Sequence, residues 1–343
     1  MITPKERLIK VLNKENVDRP PVICPGGMMN MITSDLMEVS GVYLPEAHTD
    51  PRLMANLAKA VYDEEVFENV GVPFCMTVEA EGMGAKCTLG TNIFEPHVTE
   101  YKVNKIEEWE ISTPIDLEKG RAKVVLDSIK ILKDEVPDLP IVGNLSGPIS
   151  VASSVMEPNA FYKSLIRNKE EAHKFMDFTT KELIKFAKAE IAAGANIIAI
   201  SEPSGTGEIM GPRLFKEYVV HYLNLLLDGI REEGIPTVVH ICGQMRTVYD
   251  QLKTIKADAL SFDSIVSLKK VREYVKEDMV LMGNVSTYSL EFGSQDQINA
   301  ITKSSINQGS NILSPACGIG MKSPLGNIKE ILKTAKELSN VEN

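Results

Sequence analysis

Pro236-Thr-Val-Val-His-Ile-Cys242 is a short apolar, β-branched run that ends in two metal-binding residue types. Such a run, bounded by breakers, reads as a buried strand. Alternate residues on a strand point the same way, so His240 and Cys242 share one face. A second run, Asn311-Ile-Leu-Ser-Pro-Ala-Cys317, also ends on a cysteine. Reactive side chains gathered at strand ends are the mark of a (β/α)8 barrel, whose chemistry sits at the C-terminal face. Three protein ligands with a fourth position open is the pattern of catalytic zinc, whereas structural zinc closes with four.

Reading outward from this run gives eight strand candidates: Val22–Cys24, Pro73–Val78, Pro140–Leu145, Asn196–Ile200, Thr237–Ile241, Ala259–Phe262, Met279–Met282 and Asn311–Leu313. Most are short and β-branched, as buried parallel strands are. Helical stretches separate most of them, at 50–70, 119–135, 158–193, 211–233, 244–256, 266–277, 294–308 and 325–339. This alternation predicts an α/β fold, a TIM barrel, with an open doubly wound sheet as the alternative. The opening Thr3-Pro-Lys-Glu6 predicts a capped helix within an N-terminal helical segment, 1–20. Residues 86–103 alternate like a β-hairpin inserted after the second strand. Ser339 to Asn343 read as a frayed end. The whole chain, 1–343, reads as a single domain.

The strand ends yield a chemical inventory. The fifth gives His240 and Cys242, the sixth Asp263, the seventh Asn284, and the eighth Cys317 followed by Gly318 and Gly320. The second and fourth give Glu79, Glu81 and Glu202. Strands five, six and eight lie on one side of a barrel, which brings the metal candidates together. Asp263 could supply a displaceable fourth ligand, or it could be a helix N-cap or a plain loop carboxylate. Glu79, Glu202, Asn284 and Gly318 are candidates for contact with a bound cofactor, and the glutamates read equally as structural ion-pair partners. Gly205-Thr-Gly207 and Gly318-Ile-Gly320 are fragments of a dinucleotide fingerprint that lack its third glycine and acidic follow-up.

The 343 residues carry a formal net charge of -10. That disfavours a nucleic-acid partner, which would select a basic surface. No apolar run reaches membrane-spanning length, and no secretory leader is evident, so a cytoplasmic enzyme without a membrane partner is expected. Cys24, Cys75, Cys87, Cys242 and Cys317 are an odd, scattered set, unlike a disulfide framework. The default reading of each is a small buried hydrophobe, most firmly for Cys87. His48, His97, His173 and His221 read as surface or packed histidines.

These residues resemble the uroporphyrinogen decarboxylase superfamily, and more closely its methylcobamide:coenzyme M methyltransferase branch. Thr3-Pro-Lys-Glu-Arg-Leu8, continued by Asn16-Val-Asp-Arg-Pro-Pro-Val22, is similar to the superfamily's opening signature. Val72-Pro-Phe-Cys-Met-Thr-Val-Glu-Ala-Glu-Gly-Met-Gly84 resembles a segment of the methyltransferases, and His240-x-Cys242 with Cys317 resembles their zinc motif. Gly283-Asn284-Val285 is similar to a superfamily strand end. The decarboxylases carry an arginine-containing segment for the porphyrinogen carboxylates after the opening signature. Val22-Ile-Cys-Pro-Gly-Gly-Met-Met-Asn30 has none, so porphyrinogen decarboxylation is not expected.

The resemblance implies methyl transfer from a methylated corrinoid, methylcobamide or methylcobalamin, carried on a partner protein, to a small thiol such as coenzyme M. It assigns Zn2+ to His240, Cys242 and Cys317; from the strand-end reading, Asp263 could occupy the fourth position until the thiol displaces it. A free thiol has a pKa of about 8.5, and zinc binding deprotonates it. Two cysteine thiolates already cancel the metal's charge, so a third keeps its nucleophilicity. Alternatives are a demethylase moving methyl from a methoxylated or methylamine substrate to the corrinoid protein, transfer to tetrahydrofolate, and a non-catalytic corrinoid-binding module. For a sulfonate-bearing acceptor, Arg213, Lys86 and Lys322 are the possible cations.

Overall fold

The computed structural model describes residues 2–341. Among these, eight strands follow in chain order: β1 (Val70–Val72), β2 (Lys86–Thr88), β3 (His97–Glu100), β4 (Ile141–Ser146), β5 (Ile197–Ser201), β6 (Thr237–Ile241), β7 (Ala259–Phe262) and β8 (Val280–Met282). Six form a parallel sheet ordered β1-β4-β5-β6-β7-β8, and β2 pairs antiparallel with β3 as the expected hairpin. Every residue of the six parallel strands is buried, as it must be when side chains fill the barrel and helices cover its outside.

The first and last strand candidates close the ring without becoming regular strands. Val22 bridges Leu313 and Met282 bridges Ile312, both in parallel sense. Ile23 N donates to Leu313 O (2.9 Å), and Leu313 N donates to Pro21 O (2.9 Å). Pro20, Pro21, Pro25 and Pro315 flank these segments and carry no N–H, which keeps the ladder short. On the other side the Asn69 side chain substitutes for a backbone rung: Oδ1 accepts from Cys24 N (3.0 Å) and Nδ2 donates to Cys24 O (2.8 Å). The result is a TIM-type barrel.

Several boundaries differ from the expectation. The second strand lies at Val70–Val72, ahead of Pro73, which ends the ladder. Val78–Gly82 is a short helix, so Glu79 and Glu81 sit on a helix and not at a strand end. The helix expected at 158–193 is two, Pro158–Arg167 and Lys169–Ala193. The stretch expected at 211–233 starts at Gly207 and passes through a π-helical turn, Phe215–Val220, into His221–Arg231. The helix expected at 244–256 forms only at Tyr249–Leu252. Pro148–Val155 and Thr287–Phe292 are helices the patterning missed. Helix Leu325–Val341 runs through the end expected to fray, and residues 342–343 lie outside the described residues.

The opening segment folds as its sequence dictates. Thr3 and Glu6 form a reciprocal capping box on helix Pro4–Leu12. Arg7 pairs with Asp18 (2.7 Å) and Glu68 (3.1 Å), and Glu68 also holds Arg19 Nη1 (2.7 Å). This buried network fastens the N-terminal segment to the start of β1; each charge has its partner, which burial requires.

Candidate metal centre

β6 delivers His240 inward, and Cys242 follows one step past its end on the same side. Cys317 arrives beside them from the segment after Ser314-Pro315-Ala316, which Val285 holds through two hydrogen bonds: Val285 N to Ser314 O (3.0 Å) and Ala316 N to Val285 O (2.8 Å). The ligand atoms of His240, Cys242 and Cys317 all lie within 4.8 Å of one another. Among the described residues no other three His, Cys, Asp or Glu side chains gather in this way.

The imidazole is oriented by its neighbour strand. Ser261 on β7 stands opposite His240 in the register, and its Oγ lies 3.0 Å from Nδ1. With Nδ1–H donated to Ser261, Nε2 presents a lone pair. That Nε2 is buried and has no hydrogen-bond partner. A buried nitrogen left bare beside two sulfurs is costly unless something accepts its lone pair, and a soft divalent cation does so. The sulfurs are 3.5 Å apart. The hydrogen bond from Cys242 draws the Cys317 thiol below its ordinary range, with help from the Gly318 amide. The same bond, together with burial, pushes Cys242 up. The donor set thus fits zinc or another thiophilic ion.

Asp263 lies next to this trio, with Oδ2 3.7 Å from Cys242 Sγ. Its Oδ1 accepts from Ile265 N (3.1 Å) and Ser264 Oγ (3.3 Å), so half of the carboxylate shapes its own turn. Asn284 steadies that turn, donating from Nδ2 to Asp263 O (2.9 Å) and Val266 O (2.9 Å). Gly318 is compressed against the loop after Val22: a Cβ there would sit 2.5 Å from Met28 O. Asn284 thus braces the turn that carries Asp263, and Gly318 packs against the Met28 backbone.

The two glutamates are engaged inside the scaffold. Glu202 is fully buried and accepts from Ile149 N and Ser150 N (both 2.9 Å) and from Ser150 Oγ, so it caps helix Pro148–Val155. Burial pushes its carboxyl up to about 7 despite these donors. Glu79 accepts from Ser146 N (2.6 Å), and burial raises it too.

Comparison with known proteins now bears on this site. The family model described as uroporphyrinogen decarboxylase (URO-D) matches residues 3–338. The methylcobamide:CoM methyltransferase MtbA of Methanosarcina acetivorans is 32% identical over 336 residues, covering 97% of this chain and 98% of that one. MtaA of Methanosarcina barkeri is 32% identical, covering 98% of each. A solved methyltransferase from Methanosarcina mazei superposes with a TM-score of 0.92 at 34% identity, over 98% of this chain and 99% of that one. The chain belongs to the uroporphyrinogen decarboxylase family. Within it, the chain lies in the methylcobamide:CoM methyltransferase-like branch.

The loop after Val22 packs Gly26 and Gly27 on Asn144 and bears no arginine. Of the three cations considered for an acceptor's tail, Lys86 pairs with Glu100 on the hairpin (2.7 Å) and Arg213 with Glu217 (3.7 Å). Sequence reasoning missed Ser261, which only the β6–β7 register reveals. It also missed Glu208 and Glu291. Their carboxylate oxygens lie 3.0 and 2.3 Å from the points where Cβ atoms on Gly243 and Gly320 would stand. Gly243 follows Cys242 directly, and Gly320 stands three residues after Cys317. Of the other histidines, His48 is buried and pushed down to about 4 by that burial, and His173 stacks on Tyr218 at 4.6 Å.

Proposed function

We propose that this chain, working as a single domain over 1–343, is a corrinoid-dependent methyltransferase that moves a methyl group from a methylated corrinoid protein to a small thiol. The observation that carries the proposal is the bare, buried Nε2 of His240 beside Cys242 and Cys317 at the C-terminal face of the barrel. Two thiols and one imidazole would hold zinc, with a fourth position left for Asp263 or the acceptor. When bound, the metal supplies an acceptor held as its thiolate at neutral pH. Ser261 orients the imidazole through Nδ1, and Asn284 fixes the Asp263 turn beside the open position. The acceptor sulfur then attacks the methyl carbon in line. The C–S bond would form as the methyl carbon leaves the corrinoid, which would keep the electron pair of the bond it gives up.

The relatives named above support coenzyme M as the acceptor. The test measures metal content and methylcobalamin demethylation by coenzyme M, followed in the cobalamin spectrum. One zinc per chain with thiol-dependent loss of methylcobalamin is the expected result. Zinc with turnover only towards tetrahydrofolate would move the acceptor, and turnover only from methoxylated substrates to cobalt(I) corrinoid would reverse the direction. Metal-free protein that retains full activity would overturn the reading.

A further inference from the structure

The segment Val72-Pro-Phe-Cys-Met-Thr-Val-Glu-Ala-Glu-Gly-Met-Gly84 plays no part in the metal centre, yet three of its side chains converge on one buried cation. Arg121 is 5% exposed. It directs Nη1 at Cys75 Sγ (3.2 Å), donates from Nη2 to Thr77 Oγ1 (2.9 Å), and pairs through Nε with Glu81. Thr77 Oγ1 also faces Cys75 Sγ at 3.6 Å. The sulfur of Cys75 therefore meets two donors, the Arg121 guanidinium and the Thr77 hydroxyl.

A second thiol comes from the hairpin. The β2–β3 register shifts between Lys86 and Cys87, and such irregularities re-aim side chains. Cys87 Sγ lies 3.9 Å from Thr77 O, so both sulfurs rest on Thr77, one on its hydroxyl and the other on its carbonyl. Burial pushes the Cys87 thiol up to about 11, which keeps it protonated near neutrality. Cys75, Cys87 and Glu81 do not form a metal-ligating trio among the described residues.

We propose that Cys75 and Cys87 are a redox-active dithiol, a modification site separate from the metal centre, which closes to a disulfide when it meets a low-molecular-weight disulfide. Cys75 Sγ, as thiolate, attacks one sulfur of R–S–S–R; the Cys75–S–S–R bond forms and RS⁻ leaves. The Cys87 thiol passes its proton to that RS⁻ and attacks Cys75 Sγ; the Cys75–Cys87 bond forms and a second RS⁻ leaves. The protein pair loses two electrons and the small disulfide gains them, departing as one RSH and one RS⁻. The new bond fastens the hairpin to the segment that follows β1.

The experiment treats the full-length, zinc-loaded chain with hydroxyethyl disulfide and reads intact mass and cysteine peptides. The expected result is a loss of about 2 Da and a cross-linked Cys75–Cys87 peptide. Cys87→Ser, with circular dichroism confirming its fold, should instead retain a mixed disulfide on Cys75. Arg121→Gln should slow formation of that adduct by about tenfold at pH 7. Folded protein with no Cys75–Cys87 peptide, and with Cys75 no faster to react than the buried Cys24, would overturn the proposal. The readout is chemical, so it stands or falls independently of methyl transfer.

Discussion

Two pairs of cysteines lie past the C-terminal ends of the barrel strands, and they differ in what answers their negative charge. Cys242 and Cys317 stand 3.5 Å apart beside a bare imidazole nitrogen and the Asp263 carboxylate. Cys75 and Cys87 are gathered around Thr77, with the Arg121 guanidinium 3.2 Å from Cys75. The first group is rich in lone pairs and calls for a cation from outside. The second already has its cation, covalently part of the chain. A cysteine pair is therefore read by its neighbours: converging lone pairs favour a bound cation, and a neighbouring guanidinium answers the charge without one.

The sharpest way to break this comparison is to remove one sulfur from each pair. Cys317→Ala or Cys242→Ala should lose stoichiometric zinc, with methyl transfer falling to background while the far-ultraviolet dichroism stays that of the folded barrel. Cys75→Ala should keep one zinc per chain. Loss of zinc from Cys75→Ala would merge the two regions into one site. A smaller effect follows from Ser261→Ala, which removes the partner of His240 Nδ1. Metal affinity measured by chelator competition should weaken about 10–100-fold, the usual consequence of deleting a group that orients a ligating histidine. Unchanged affinity would show that packing alone sets the ring.

Arg121→Met separates the regions in the other direction. It strands Glu81 and leaves Cys75 without its cation, with the arginine side chain 5% and the glutamate 37% exposed. Urea unfolding should reveal a loss of about 2–3 kcal/mol, the lower end for breaking a buried pair because one partner still reaches solvent. Zinc stoichiometry should not change.

The same contrast explains what could be read without coordinates. His240, Cys242 and Cys317 were legible because strand periodicity and strand order are local and topological, and a parallel barrel converts order into proximity. Thr237–Ile241 and Ala259–Phe262 were placed without error because continuous β-branched runs have one stable fate between two covered faces. The Arg121 cluster was not legible, because its members come from a loop, a hairpin bulge and a helix start brought together only by packing. The surroundings of Glu79 and Glu202 were not legible for a related reason. A carboxylate near a strand end can face the mouth or turn back to cap Pro148–Val155, and composition does not distinguish the two.

Glu190 carries the comparison to its limit, since neither a metal nor a guanidinium answers its charge and the Asn144 amide offsets its burial only in part. It lies on Lys169–Ala193, fully buried against Gly143 of β4, and neither oxygen makes a hydrogen bond among the described residues. Burial first, and the charge of Glu79 second, hold its carboxyl well above the ordinary 4.5. The remaining answer is a proton. Because the folded-state value is raised, the protonated form favours the native state. Glu190's contribution is therefore most favourable below the unfolded value of 4.5 and is lost as pH rises through the raised folded value. Glu190→Gln keeps the shape and removes the titration. Its melting temperature should match the wild type in acid and exceed it increasingly towards alkaline pH, by about 2 °C or more. A constant difference across that range would mean that Glu190 is ionised and partnered in the folded chain, and would remove it from the series that runs from metal to guanidinium to proton.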